Sequence, residues 1–128
     1  MTERALRLTV LEERLAIYRL KPDERFEFPA TGEFCSVTRT PDEISVVAPE
    51  SAVPKNARCE WGWRCLKVHG PFDFSLTGIL ASLTGPLADE QVPIFAVSTF
   101  DTDYLLVRDK DLLDAVDALT RRGHRVEH

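Results

Sequence analysis

The six residues Ser98-Thr99-Phe100-Asp101-Thr102-Asp103 gather two carboxylates, three hydroxyls and one aromatic ring into a single polar turn. Such a turn can accept charge-assisted hydrogen bonds from an ammonium group, with Asp103 the preferred acceptor ahead of Asp101. Phe100, or Phe74 from earlier in the chain, can wall an apolar side chain. The run Ser75-Leu76-Thr77-Gly78-Ile79 reads as the start of a helix, with Ser75 as its N-cap. First-turn amides lack intrahelical partners and carry the positive end of the helix dipole, so they favour an anion. Gly78 has no side chain to obstruct close approach to that turn. A free amino acid carries a carboxylate and an ammonium on one carbon, and a crevice shared by the helix start and the acidic turn would seat it. The same residues admit an architectural reading as well. Asp101-Thr102-Asp103 is ordinary hairpin-turn chemistry, and Gly78 can serve the close packing of helix on sheet.

Other chemistries find less support. His69, Asp73 and Ser75 lie close in the chain, but no Gly-x-Ser-x-Gly elbow surrounds them. His69, His124 and His128 sit at no metal-ligand spacing, and Gly70 and Gly78 are not arranged as a phosphate-cradling loop. No catalytic residue, metal or cofactor is therefore expected. Cys35, Cys59 and Cys65 are odd in number, widely spaced and free of any Cys-x-x-Cys pair, so burial as small hydrophobes in a reducing cytoplasm is their expected fate. The formal charge of -5 offers no attraction to nucleic-acid phosphates or to an anionic membrane surface. The N-terminal MTERALRL lacks the apolar run of a secretory signal, and no stretch approaches the ~20 apolar residues that span a bilayer.

The elements that must position the turn and the helix start follow from hydrophobic period. Leu6–Leu11 alternates as a half-buried strand, and Leu15–Leu20 can pair with it as a hairpin or lie beside it. Lys21–Pro29 is a loop with two prolines, Glu33–Thr38 and Ile44–Val47 are strands, and Thr40-Pro41-Asp42-Glu43 turns between them. Pro49–Pro54 has room for a helical turn or two. Trp61 and Trp63 share one face if the backbone between them is extended, and they serve as core cover or as a binding platform. Leu66–His69 is a strand. Leu76, Ile79, Leu80, Leu83 and Leu87 then form one helical stripe, kinked at Pro86 and ending near Gln91. Pro93–Val97 and Tyr104–Val107 are antiparallel strands across the polar turn. Asp109 caps a second helix with Leu112, Leu113, Val116 and Leu119 on its apolar face, Arg121 and Arg122 in its last turn and Gly123 as its left-handed stop. His124-Arg125-Val126 closes as a short strand. This order is the α+β, ferredoxin-like βαββαβ plan, an antiparallel sheet with both helices on one face.

The run from Gly85 to Val107, GPLADEQVPIFAVSTFDTDYLLV, resembles the ACT domain in its CASTOR-type branch. That branch carries a helix ending in Pro-Leu-Ala, a short apolar strand, and Ser-Thr-aromatic-x-x-Asp before a second apolar strand. Phe34–Glu43 resembles the segment that precedes the domain in the same branch, so the likeness covers most of residues 33 to 120. The resemblance implies amino-acid binding and metabolic regulation, and tandem ACT-like units: a degenerate, mostly strand unit over residues 1–60 and an ACT domain over 61–128. In the first, the Lys21–Pro29 loop would stand where a helix has been lost.

The resemblance places Gly78 and Ile79 in the loop-to-helix contact region, and Thr99, Phe100 and Asp103 in the turn that meets the ligand. Where arginine sensors of the branch carry an acidic residue this chain has Leu76, which cannot pair with a guanidinium; a neutral or apolar amino acid is implied instead. The expected ligand-binding set is thus Ser75, Leu76, Thr77, Gly78, Ile79, Ser98, Thr99, Phe100 and Asp103. The expected protein is a non-enzymatic, cytoplasmic, homodimeric regulator that binds a free amino acid and signals through a partner enzyme or regulator. A ligand-free interaction module of the same fold, acting on a partner enzyme, is the rival expectation.

Overall fold

The structure, a computed structural model, describes residues 5–69 and 78–128. Among the described residues the elements are β1 (Arg7–Val10), β2 (Leu15–Leu20), β3 (Ser36–Arg39), β4 (Ile44–Pro49), β5 (Arg58–Val68), α1 (Ile79–Asp89), β6 (Ile94–Ser98), β7 (Asp103–Arg108), α2 (Leu112–Arg121) and β8 (Arg125–Glu127). Single 3₁₀ turns precede β5 (Glu50–Ala52) and α2 (Asp109–Asp111). The chain divides into two compact units, Met1–Glu12 with Arg64–His128, and Glu13–Trp63. Residues 5–12 thus belong with the later unit, because β1 pairs with both β5 and β8.

In the later unit the strand order is β8-β1-β5-β7-β6. β5-α1-β6-β7-α2-β8 is the expected ferredoxin-like βαββαβ plan, and β1 is an added strand set between its first and last strands. Alternation along each strand sends Leu8, Val10, Leu66, Val68, Leu105 and Val107 to one face. Leu83 and Leu87 of α1 and Leu112, Ala115, Ala118 and Leu119 of α2 complete that core. Truncating Leu83 or Leu87, both almost fully buried, to alanine should cost about 2–5 kcal/mol. The exposed ion pairs joining the helix ends, Arg121 to Glu90 at 2.8 Å and Arg122 to Asp89 at 2.6 Å, count for far less.

Pro86 lies inside α1 and has no N–H to give to the carbonyl of Ser82, four residues earlier. His124 fills that vacancy. It is 3% exposed, its Nε2 stands 3.1 Å from the Ser82 carbonyl, and its Nδ1 accepts the Leu6 N–H at 3.1 Å. With Nδ1 accepting from Leu6, Nε2 is the nitrogen that donates to the Ser82 carbonyl. One imidazole therefore ties the interrupted helix to the start of β1.

In the unit of residues 13–63 the order is β3-β4-β2-β5, all antiparallel. Its core gathers Tyr18, Leu20, Ile44, Val46 and Ala48, with Phe26, Cys35, Val37 and Cys59 packed against it. No α-helix occurs among the described residues of this unit, and the 21–35 segment covers the core instead.

Several expectations need correction. β1 and β2 are not partners, since β2 pairs with β4 and β5. Helix α1 starts at Ile79 rather than after Ser75: Gly78 is left-handed at φ 78°, a conformation that cannot continue into a helix, and it makes no side-chain cap. Asp109 opens a 3₁₀ turn instead of capping α2, because its carboxylate is drawn to the Arg64 guanidinium at 3.3 Å. Trp61 is half exposed while Trp63 is buried, for Gly62 between them has φ 76° and the register against β2 shifts there.

Removing the bridging imidazole with His124→Ala should lower unfolding free energy by about 1–3 kcal/mol in urea titrations. Pro86→Ala introduced on top should recover part of that loss, because an alanine there would supply the missing N–H to the Ser82 carbonyl. Strict additivity of the two changes would show that the ring does not serve the interrupted carbonyl.

Candidate functional site

The turn at the tip of β6 and β7 begins from an unbroken antiparallel ladder, Ile94 opposite Val107 through Ser98 opposite Asp103. The Ser98 hydroxyl donates to Asp103 Oδ1 at 2.5 Å across the last pair. Thr99 N–H donates to the Thr102 carbonyl at 2.8 Å, and the Thr99 hydroxyl lies 3.1 Å from the same oxygen. The Thr102 N–H returns a bond of 3.3 Å to Thr99 Oγ1. Thr102 is itself buried, and its hydroxyl donates to the carbonyl of Val68 at the end of β5. The loop therefore closes on itself and is fastened to the strand end from which the chain proceeds toward α1.

This wiring sets what the turn can do. Asp103 is half-buried and aimed by Ser98, while its Oδ2 has no hydrogen bond among the described residues. A carboxylate held on one oxygen and open on the other is a ready acceptor for an ammonium. Asp101 is exposed at the tip, and Phe100 stands out from it at 80% exposure. Next along β7, burial and then the neighbouring Cys65 push the Tyr104 phenol upward, so it stays neutral.

At the helix start, Gly78 is exposed, and among the described residues no heavy atom beyond its chain neighbours lies within 4 Å of where a Cβ would sit. The first helical bond runs from Ser82 N–H to the Gly78 carbonyl at 2.9 Å. The amides of Ile79, Leu80 and Ala81 thus precede the ladder and point out of the N-terminus of the helix. Ile79 itself packs against the core. Ser75, Leu76 and Thr77 lie outside the described residues, as do Asp73 and Phe74. Of the expected set, the structure brings Ser98, Thr99 and Asp103 into one bonded turn and leaves Phe100 projecting from it.

The residue that pattern reading missed is Thr102, the anchor. Its signal was available in the Thr99-x-x-Thr102 spacing, which suits reciprocal side-chain-to-backbone bonds within a turn. His69 also has a defined place: its Nε2 lies 2.6 Å from Thr9 Oγ1, and its N–H donates to the Arg7 carbonyl. Among the described residues no group of three His, Cys, Asp or Glu side chains could hold a metal ion, and no helix is long and apolar enough to cross a membrane. Among the described residues Cys35, Cys59 and Cys65 form no disulfide. Burial pushes Cys35 upward from its ordinary value, and burial, Glu50 and Glu60 do the same for Cys59.

A family model described as ACT domain matches residues 58–121. The Bos taurus protein named cytosolic arginine sensor for mTORC1 subunit 1 is 29% identical over 100 residues, which is 70% of this chain and 30% of that protein. The chain thus spans less than a third of the length of that relative. A crystal structure of a protein from Agrobacterium tumefaciens superposes with a TM-score of 0.88 at 41% identity, covering 98% of this chain and 96% of that one. Aspartate kinase from Clostridium acetobutylicum shares the fold at 11% identity and a TM-score of 0.64, over 87% of this chain and 33% of the kinase.

Replacing the anchor with Thr102→Val keeps its shape and deletes its hydroxyl. The loss should be about 1–3 kcal/mol of stability, read by urea unfolding, with faster hydrogen exchange at the Thr99 amide. Alkylation of Cys35 and Cys59 at pH 8 should run slower than that of a free cysteine, because the raised values lower the thiolate fraction. Folding favours these thiols protonated, so their contribution is complete below the ordinary value of 9.0 and is lost as pH climbs through the raised ones. Mass-resolved alkylation rates and unfolding curves at alkaline pH check both statements.

Proposed function

The chain belongs to the ACT domain family, and from that membership we propose that it is a non-enzymatic regulatory protein whose ligand is a free amino acid. The ligand lies between residues 75–79, where the chain enters α1, and the turn at 98–103. Its carboxylate meets the first-turn amides beside Gly78, and its ammonium meets Asp103. The observation that supports this most is the wiring of the turn. Ser98 commits its hydroxyl to one Asp103 oxygen and Thr102 fastens the loop to Val68, so the second oxygen is aimed before any ligand arrives. Leu76 replaces the acid that a guanidinium would need, which favours a neutral or apolar amino acid.

A worn first ACT-like unit over residues 1–60 is part of this reading. The compact unit of residues 13–63, in which the 21–35 segment takes the helix layer's place, supports it over most of that span. With no catalytic residue assigned, the signal passes to a partner, and a homodimer is the expected assembly. The exposure of Phe100 favours one second reading, in which the turn docks a partner protein and holds no ligand.

Calorimetric titration with the twenty amino acids decides between them. At least one neutral amino acid should give saturable heat, and Asp103→Ala should weaken it roughly tenfold to a hundredfold, the worth of a charge-assisted hydrogen bond. Flat traces throughout, or an affinity indifferent to Asp103→Ala, would sink the ligand assignment.

A further inference from the structure

We propose that the unit of residues 13–63 holds a binding site of its own, for a small carboxylate with a branched or aromatic body. It lies where the loop after β2 covers the face of β3 and β4, and it is independent of the turn at 98–103. A cavity of about 460 Å³ is lined there by the apolar Pro22, Phe26, Val37 and Ile44 and by the charged Asp23, Glu24, Arg25 and Arg39. A second of about 240 Å³ shares Arg25 and Phe26 with it. The larger volume falls in the range of small-molecule sites, and half of its lining is apolar.

Charge decides the ligand class. Arg25 pairs with Glu27 at 3.6 Å and Arg19 with Glu43 at 3.5 Å, whereas Arg39 has no carboxylate partner among the described residues. A single unpaired guanidinium suits one carboxylate, which it can grip bidentately, and it is too little for a phosphate chain. Phe26, Val37 and Ile44 offer hydrocarbon to the rest of the molecule. Of the two acids in the lining, Glu24 accepts the Lys21 N–H and Asp23 has no partner among the described residues, so an ammonium on the same ligand is accepted but not demanded.

Both walls are fixed before anything binds. Arg39 ends β3 opposite Ile44, and the turn that follows is closed by Thr40 N–H to the Glu43 carbonyl at 2.9 Å. Thr40 Oγ1 accepts the Asp42 and Glu43 amides at 3.1 and 3.2 Å. Across the cavity, Lys21 N–H donates to Glu24 Oε1 and Glu24 N–H to the Lys21 carbonyl, each at 3.0 Å. Phe26 is seated on the core beside Val37. A loop locked at its base and a rigid strand end cost a ligand little ordering.

The test is a two-dimensional amide NMR titration of the full chain with leucine, phenylalanine, 4-methylpentanoate and 3-phenylpropanoate. Saturable shifts at Asp23, Phe26, Val37 and Arg39 are expected with at least one of the four. If only the two amino acids act, Asp23 holds their ammonium; if the deaminated acids act as well, the carboxylate and its hydrocarbon suffice. Arg39→Ala should weaken the response at least tenfold, Arg39→Lys should retain part of it, and Asp103→Ala should leave it intact. No saturable shift around Arg39 with any probe overturns the proposal, as does a response that survives Arg39→Ala or vanishes with Asp103→Ala. Because the two variants report on different units, failure here leaves the reading of the turn at 98–103 standing, and the reverse holds too.

Discussion

A helix interrupted by proline must find another donor for the carbonyl it orphans, and the later unit is arranged around how that is done. The Ser82 oxygen meets His124 Nε2, and His124 Nδ1 meets the Leu6 amide. Three segments far apart in sequence are thereby held by one ring in a nearly water-free place. There an unpaired polar group is costly, so each partner constrains the other two. Helix α1 can then present its N-terminus at Gly78 in a defined direction, which any anion-binding role requires.

The turn at 98–103 follows the same logic on a smaller scale. Its strands have a regular register, yet its order comes from hydroxyls: Ser98 on Asp103, Thr99 on Thr102, Thr102 on Val68. Phe100 and Asp101 project from it, one apolar and one charged. A short loop so closely bonded within itself is stiff, and stiffness is what the proposed ligand role of its carboxylate requires.

Periodic elements were legible because burial on one face writes itself into every second or every third-and-fourth residue. The β6–β7 ladder and the stripe Leu83, Leu87 came through for that reason, and so did β2, which runs from Leu15 to Leu20 as the pattern reads. What escaped are contacts with no local signature. Nothing near Asp109 in the chain says that its carboxylate prefers the distant Arg64 to the helix end. Nothing near His124 says that its ring will answer for Pro86. Gly62 and Gly78 were visible as glycines, but their left-handed backbones, which reset a strand and a helix start, depend on neighbours met only in three dimensions. At the candidate site the acidic turn was readable, and the Thr99-x-x-Thr102 spacing signalled local bonds within it. Nothing local said that the Thr102 hydroxyl would anchor on Val68, because a buried threonine looks the same in sequence as a solvated one.

The placement of β1 also governs how the molecule is made. Leu8 sits between Val68 on one side and Val126 on the other, and the Leu6 amide waits for a ring 118 residues away. A ribosome delivers the opening segment first and both of its neighbours much later, at about 5–20 residues per second. Closure of this sheet is consequently a late, long-range event that comes after synthesis has reached the last strand, and such topologies fold slowly. The intervening residues 13–63, whose pairings are all among themselves, face no such delay and can be complete while their sequence neighbours are still waiting.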